Sequence, residues 1–214
     1  MNENKKEVIV LVHGLWMKGP ELLYLRYKFW RQGYKTCQFH YASIFKSPEE
    51  NATQLFQFIS KIDVPIVHLV AHSLGGIVIN HLFEHYEIKQ AGKVVMIGSP
   101  LNGSAVATYL SENKLMKYLL GKSLVEGLLG DAPKWNSKKR NSQRELCVIA
   151  GTEGIGAGKI FAGRVLQEPN DGTVSLHETQ LESADESHAV PRSHFLMLAS
   201  NEVVNIIVNF LRKE

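Results

Sequence analysis

Aspartate is scarce in this 214-residue chain: Asp63, Asp131, Asp171 and Asp185 are all there are. A site that needs an aspartate therefore has few positions to draw on. Cysteine is scarcer still. Cys37 and Cys147 each sit inside an apolar run that reads as a buried strand, and two isolated cysteines give neither a disulfide framework nor a zinc site. They read as core thiols in a reducing compartment. No apolar run approaches the roughly 20 residues of a membrane span. The opening MNENKKEVIV lacks the apolar stretch and small-residue cleavage site of a secretory signal, so a cytoplasmic location is expected. Charge of one sign is also missing. The formal net charge is +3 and the pI about 8.8, with no long Lys/Arg tract and no nucleic-acid motif, which sets nucleic-acid binding aside. The glycines and prolines have no period, which excludes a fibrous chain. What remains is an ordinary globular composition, 44% hydrophobic and 21% charged, on a chain long enough for one sizeable core. One domain over 1–214 is expected.

Short apolar, β-branched runs recur at 7–12, 35–41, 65–72, 93–99, 145–151 and 187–191. Most are continuously apolar rather than alternating, as strands buried on both faces should be. Helical patterns lie between them. Residues 20–32 place Leu22, Leu25, Phe29 and Trp30 on one stripe. Residues 48–61 open with Ser47-Pro48-Glu49-Glu50, a helix-start signature. Further patterns cover 74–90 and 195–212. Strands alternating with helices predict a mostly parallel sheet covered on both faces. Two segments break the rhythm. Residues 101–144 are far longer than an ordinary strand–helix connection; they carry an apolar helical pattern (Leu110, Leu115, Met116, Leu119, Leu120, Leu124, Val125, Leu128, Leu129) and end in a basic run. An insertion of this kind at the strand C-terminal edge reads as a cap. The glycine-rich stretch 151–173, with Asn170-Asp171-Gly172, reads as a mobile loop.

The strongest chemical signal is Ala71-His72-Ser73-Leu74-Gly75-Gly76, at the end of an apolar strand and the start of a helix. That context is what a nucleophile elbow requires. The turn exposes the Ser73 hydroxyl, and Ala71 and Gly75 are small enough for strand and helix to approach. A serine hydroxyl needs a base, and His177, His188 and His194 follow it. His194 lies just before the terminal helix on the expected side of the sheet and is the first choice, with His188 second. The base needs an orienting carboxylate. Asp171, in its Asn-Asp-Gly turn after the fifth strand, suits the catalytic edge. Asp185 lies at the wrong end of the last strand, and Glu168 and Glu178 are the substitutes. The oxyanion donors expected are the N–H of Leu74, after the serine, and of Leu15, in Val12-His13-Gly14-Leu15-Trp16. His13 reads as a structural hydrogen-bonder. Trp16, Leu101, Leu120 and Leu124 are the residues expected to touch substrate.

With Val12-His13-Gly14-Leu15, Ala71–Gly76, Gly98-Ser99-Pro100-Leu101-Asn102-Gly103-Ser104, Asn170-Asp171-Gly172 and Ser193-His194 in this order, the chain resembles α/β-hydrolase-fold serine esterases and lipases. It is most similar to compact bacterial lipases and to the lipase-like domains related to GPI inositol-deacylases. The resemblance spans 7–212. It implies a six-stranded sheet ordered 2-1-3-4-5-6, helices on both faces, a helical cap at about 101–144, and a triad of Ser73, Asp171 and His194 that uses no metal or organic cofactor. The function expected is hydrolysis of carboxylic esters with an apolar acyl group through an acyl-enzyme. A thioesterase, an amidase or a non-catalytic binding member of the fold are the alternatives. The partners expected are a small-molecule or lipid ester and transient contact with a membrane surface, by a monomer or weak dimer that binds no nucleic acid.

Three further patterns are set aside. His81-Leu82-Phe83-Glu84-His85 matches H-x-x-E-H, but its helix must pack on the sheet, so it reads as two surface histidines and a glutamate. Gly121-Lys122-Ser123 has Met116 where a P-loop needs its first glycine. The basic run from Lys134 to Arg144 reads as a solvated loop.

Overall fold

The computed structural model describes residues 7–129 and 144–213. Each apolar run becomes a strand: β1 (Glu7–Val12), β2 (Lys35–Phe39), β3 (Ile66–His72), β4 (Val94–Ile97), β5 (Leu146–Gly151) and β6 (Glu186–Val190). They form one sheet in the order β2-β1-β3-β4-β5-β6, with every neighbouring pair parallel. The order matches the expectation. The continuous apolarity has a simple cause. Side chains alternate across a strand, and both sides of this sheet are covered. Val8, Val10 and Val12 of β1, with Leu69 and Ala71 of β3, face one apolar cluster; Ile9, Leu11 and Val70 face the other.

The first cluster is roofed by α2 (Pro48–Ser60) and α3 (Leu74–His85), the second by α1 (Leu23–Arg31) and α8 (Asn201–Arg212). The start of α2 is a complete capping box: Ser47 Oγ accepts from Glu50 N–H, and Glu50 accepts from Ser47 N–H. Ser200 caps α8 with the first half of that arrangement alone, its Oγ accepting from Val203 N–H. That cap separates α8 from a short 3-10 turn at Leu196–Ala199, so the expected single helix over 195–212 is two pieces. Residues 20–31 likewise split into a 3-10 turn and α1.

Several expectations are corrected. Leu22, Leu25 and Phe29 are buried, but Trp30 is 66% exposed; it lies next to Phe29 on the helix and turns to solvent. Helix α3 stops at His85 because Tyr86 adopts extended backbone, stacking on Phe56 and bonding Thr53 through its hydroxyl. His81 is not on the surface. It is buried, with neither ring nitrogen partnered, and burial, with His85 adding repulsion, lowers its pKa to about 4. The glycine-rich stretch holds a short helix, α6 (Ala157–Ala162).

Between β4 and β5 lie α4 (Ala105–Ser111) and α5 (Lys114–Leu128). Helix α5 breaks at Gly121, whose φ of +78° is glycine territory. A Cβ there would press on the backbone of Ile44 at 2.6 Å. The rest of the expected cap, and the basic run apart from Arg144, lie outside the described residues. Arg144 itself is no solvated end of that run. It is buried, donating to the carbonyls of Val67, Gln90 and Ala91, and burial lowers its pKa to about 10. A short α7 (Leu176–Thr179) precedes β6.

Candidate active site

Ser73 is the one residue between β3 and α3, and its backbone sits at φ 52°, ψ −122°. A non-glycine residue there is strained by about 1–3 kcal/mol and must be held by its surroundings. Three contacts hold it. Ser73 N–H donates to Ile97 O at 2.9 Å, Gly76 N–H donates to Ser73 O at 3.0 Å, and Gly75 lets α3 descend onto β1. A Cβ on Gly75 would lie 2.5 Å from Val12 O and 2.8 Å from His13 O. The small residue of the motif is thus a condition of the turn. Leu74 opens α3, so its N–H is one of the helix-start donors with no intrahelical acceptor.

Asp171 and His194 meet at the same edge of the sheet. His194 Nδ1 lies 2.6 Å from Asp171 Oδ2, and both side chains are almost fully buried. The main chain repeats the link: His194 N–H donates to Asp171 O at 2.9 Å. The other carboxylate oxygen accepts from Thr173 N–H at 2.9 Å and Val174 N–H at 2.7 Å. Asn170 Oδ1 accepts from Gly172 N–H, and Gly172 takes a φ of +88°. The Asn-Asp-Gly sequence therefore builds a nest that fixes the carboxylate from behind. With Nδ1–H donating to the carboxylate, the imidazole keeps Nε2 free of its proton, the tautomer a general base needs.

The sequence marks His72 only as a letter of the elbow motif. Its ring is fully buried, Nε2 lies 3.1 Å from the carbonyl of His194, and the two rings are 4.6 Å apart. Since a carbonyl only accepts, His72 is the donor. Burial, reinforced by repulsion from His194, holds its pKa well below 6.5 and keeps it neutral. The residue before Ser73 thus ties directly to the backbone of His194.

Of the other candidates, His188 bonds Glu186 at 3.0 Å near the start of β6, Asp185 accepts from Leu146 N–H where β5 begins, and Glu178 is spent on Ala105 N–H and Ser175 N–H. Glu168 is exposed beside Lys159. His13 is a turn residue: its Nδ1 lies 2.9 Å from Gly14 O and its ring stacks on Tyr41 at 4.3 Å. Burial lowers its pKa.

Ser73 and His194 line a cavity of about 370 Å³ together with Leu15, Trp16, Leu74 and the apolar side chains of α4 and α5. Val106, Leu110, Met116, Leu119, Leu120, Leu124 and Leu128 all reach it. Trp16, at φ 59°, crosses to the insertion and donates its indole N–H to Leu119 O at 3.0 Å. Leu101 is absent from the lining; it is buried in the core beside β4 and α3.

Residues 24–137 match the profile of a family described as a domain of unknown function, DUF7379. The chain belongs to that family. The match contains Ser73 but neither Asp171 nor His194. No curated protein matches this DUF7379 chain. Solved structures do, by backbone. The mature form of the Bacillus licheniformis lipase BlEst2 is similar over 99% of this chain and 94% of its own, with a TM-score of 0.79 and 20% identity; of the same lipase in its propeptide form this chain spans only about half, 52%. An extracellular α/β-hydrolase from a Paenibacillus species is similar over 96% and 99% of the two chains, TM-score 0.63, 13% identity. Polyneuridine aldehyde esterase is similar over 95% and 98%, TM-score 0.60, 15% identity. This DUF7379 protein has the α/β-hydrolase fold.

Proposed function

We propose that this protein is a serine hydrolase of carboxylic esters with apolar acyl groups. The observation that carries the reading is the buried Asp171–His194 pair opening onto the same apolar cavity as Ser73. His194 Nε2 takes the proton of Ser73 as Oγ attacks the ester carbonyl. The N–H groups of Leu15 and Leu74 receive the oxyanion. The imidazolium, held by Asp171, then protonates the leaving alcohol. Water, deprotonated by the same imidazole, releases the acid from the acyl-serine. The acyl chain lies against Leu120, Leu124 and Trp16, under α4 and α5 acting as a cap. An apolar cavity of this size favours a chain over an acetyl group, because burying methylenes contributes about 0.8 kcal/mol each.

A fluorophosphonate probe tests the nucleophile: covalent label at Ser73 supports the reading, and label at another serine overturns it. A series of p-nitrophenyl esters of rising chain length, with matching thioesters, then reads the acyl and leaving-group preference, since fold and triad do not choose the leaving group.

A further inference from the structure

The opposite edge of the sheet carries a second cluster, unconnected with Ser73. Strands β5 and β6 begin there. Cys147 is the second residue of β5 and pairs in register with Glu186, the first of β6. His188 follows on the same face of β6. The Cys147 sulfur, a Glu186 oxygen and a His188 ring nitrogen all lie within 4.8 Å of one another. We propose that Cys147, Glu186 and His188 form a binding site for a zinc ion that clamps the edge strand β6 to β5.

The donor set argues for the metal. Sulfur, imidazole nitrogen and carboxylate oxygen together suit borderline-soft zinc and poorly suit magnesium or calcium, which take oxygen ligands. The geometry needs only a small adjustment. Glu186 Oε2 and His188 Nε2 are 3.0 Å apart in a hydrogen bond; tetrahedral ligands at about 2.0–2.2 Å from one zinc ion stand about 3.3–3.6 Å apart, so this pair opens slightly as the ion enters. There is an entry path as well. Cys147 is fully buried, but the side chains of His188 and Glu186 are 35% and 21% exposed. The thiol lies at the bottom and the other two groups open to solvent. Lys213 stands at the mouth, 2.5 Å from Glu186 Oε1 and itself 58% exposed. It occupies the oxygen that Glu186 does not turn to His188 and can swing into water when a cation enters. Binding converts the Cys147 thiol to thiolate, and its proton leaves to solvent. Water completes the coordination. The ligands come from two strands far apart in the chain, so no spacing in the sequence announces them.

The test is a titration of the EDTA-treated full-length protein with cobalt(II), followed by competition with zinc. Expected are a thiolate-to-cobalt charge-transfer band in the near ultraviolet, displacement by zinc, and proton release in weak buffer. Cys147→Ser should abolish the band, while Cys37→Ser keeps it. His188→Gln and Glu186→Gln, both on the solvent side, should retain the fold and weaken binding by about 10–100-fold or more. Absence of the band, or affinity unchanged in His188→Gln and Glu186→Gln, overturns the site and leaves an ion-pair network of Lys213, Glu186 and His188. No step of the titration reads ester hydrolysis, so its outcome is independent of the function proposed above.

Discussion

The floor and the roof of the cavity are built by different means. The floor, Ser73 with Asp171 and His194, is fixed by backbone hydrogen bonds and short buried contacts: Ser73 N–H to Ile97 O, His194 N–H to Asp171 O, and two amides on Asp171 Oδ1. The roof, α4 and α5, is partly exposed, with Leu115 63% and Tyr118 74% open to solvent. Its polar ties include the Trp16 indole on Leu119 O, Lys122 N–H on Ile44 O, Asn51 on Ser123 and the exposed Lys122–Glu50 pair. The contrast teaches where substitution should change what. Under the proposed function, floor residues would set the rate of chemistry, where small misplacement costs much, and roof residues would set which substrates dwell there.

The sharpest way to break the contrast is at the floor. Ser73→Ala should lower turnover on the order of 10⁶-fold and abolish fluorophosphonate labelling, with circular dichroism unchanged. Asp171→Asn should lower turnover by about 10⁴-fold, since the amide can present a donor where the imidazole needs an acceptor. Asp185→Asn, at the far end of the sheet, should leave turnover near wild type. If steady-state kinetics reverse those two phenotypes, the floor is wrongly assigned. At the roof, Leu120→Gln and Leu124→Gln should raise KM for long acyl esters by about tenfold or more and leave acetate esters little changed. A uniform loss across chain lengths with a lower Tm would instead make these residues core packing.

The smallest expected effect lies outside both regions and serves as a control. His81 titrates near 4 in the folded protein against 6.5 in its absence of burial. Between those values the unfolded chain holds the extra proton, so stability falls as pH drops from 6.5 toward 4 and is unaffected by this group above 6.5. His81→Leu should flatten that acid limb by a few degrees of Tm, seen in thermal melts across pH, without altering the pH profile of turnover.

How much of this was legible in the sequence depended on how local the cause was. Strands buried on both faces write themselves as apolar runs, and the sheet order followed the family resemblance. The elbow is local too, since β3, Ser73 and α3 are contiguous. Trp30, His81 and Arg144 were misread because their environment is set by distant segments: Arg144 is received by carbonyls of Val67, Gln90 and Ala91, none near it in the chain. Leu101 was expected at the substrate because it follows β4 closely, yet tertiary packing turns it into the core. His72 could have been suspected from its place between Ala71 and Ser73, but its bond to His194 O joins residues that no pattern relates.

The double link between Asp171 and His194 has a consequence for how the molecule could be divided. Both partners of that latch belong to the segment 144–213, whereas Ser73, Leu15, Leu74 and the described cap helices all belong to 7–129. The polypeptide is thus partitioned into a half that carries the proposed nucleophile and a half that carries its proposed base and acid, joined by the β4–β5 pairing and by Arg144 reaching back to Val67. Expressed as two polypeptides, the two segments would each lack part of the proposed site, and reassembly alone would bring the proposed hydrolase activity into being, a built-in basis for fragment complementation.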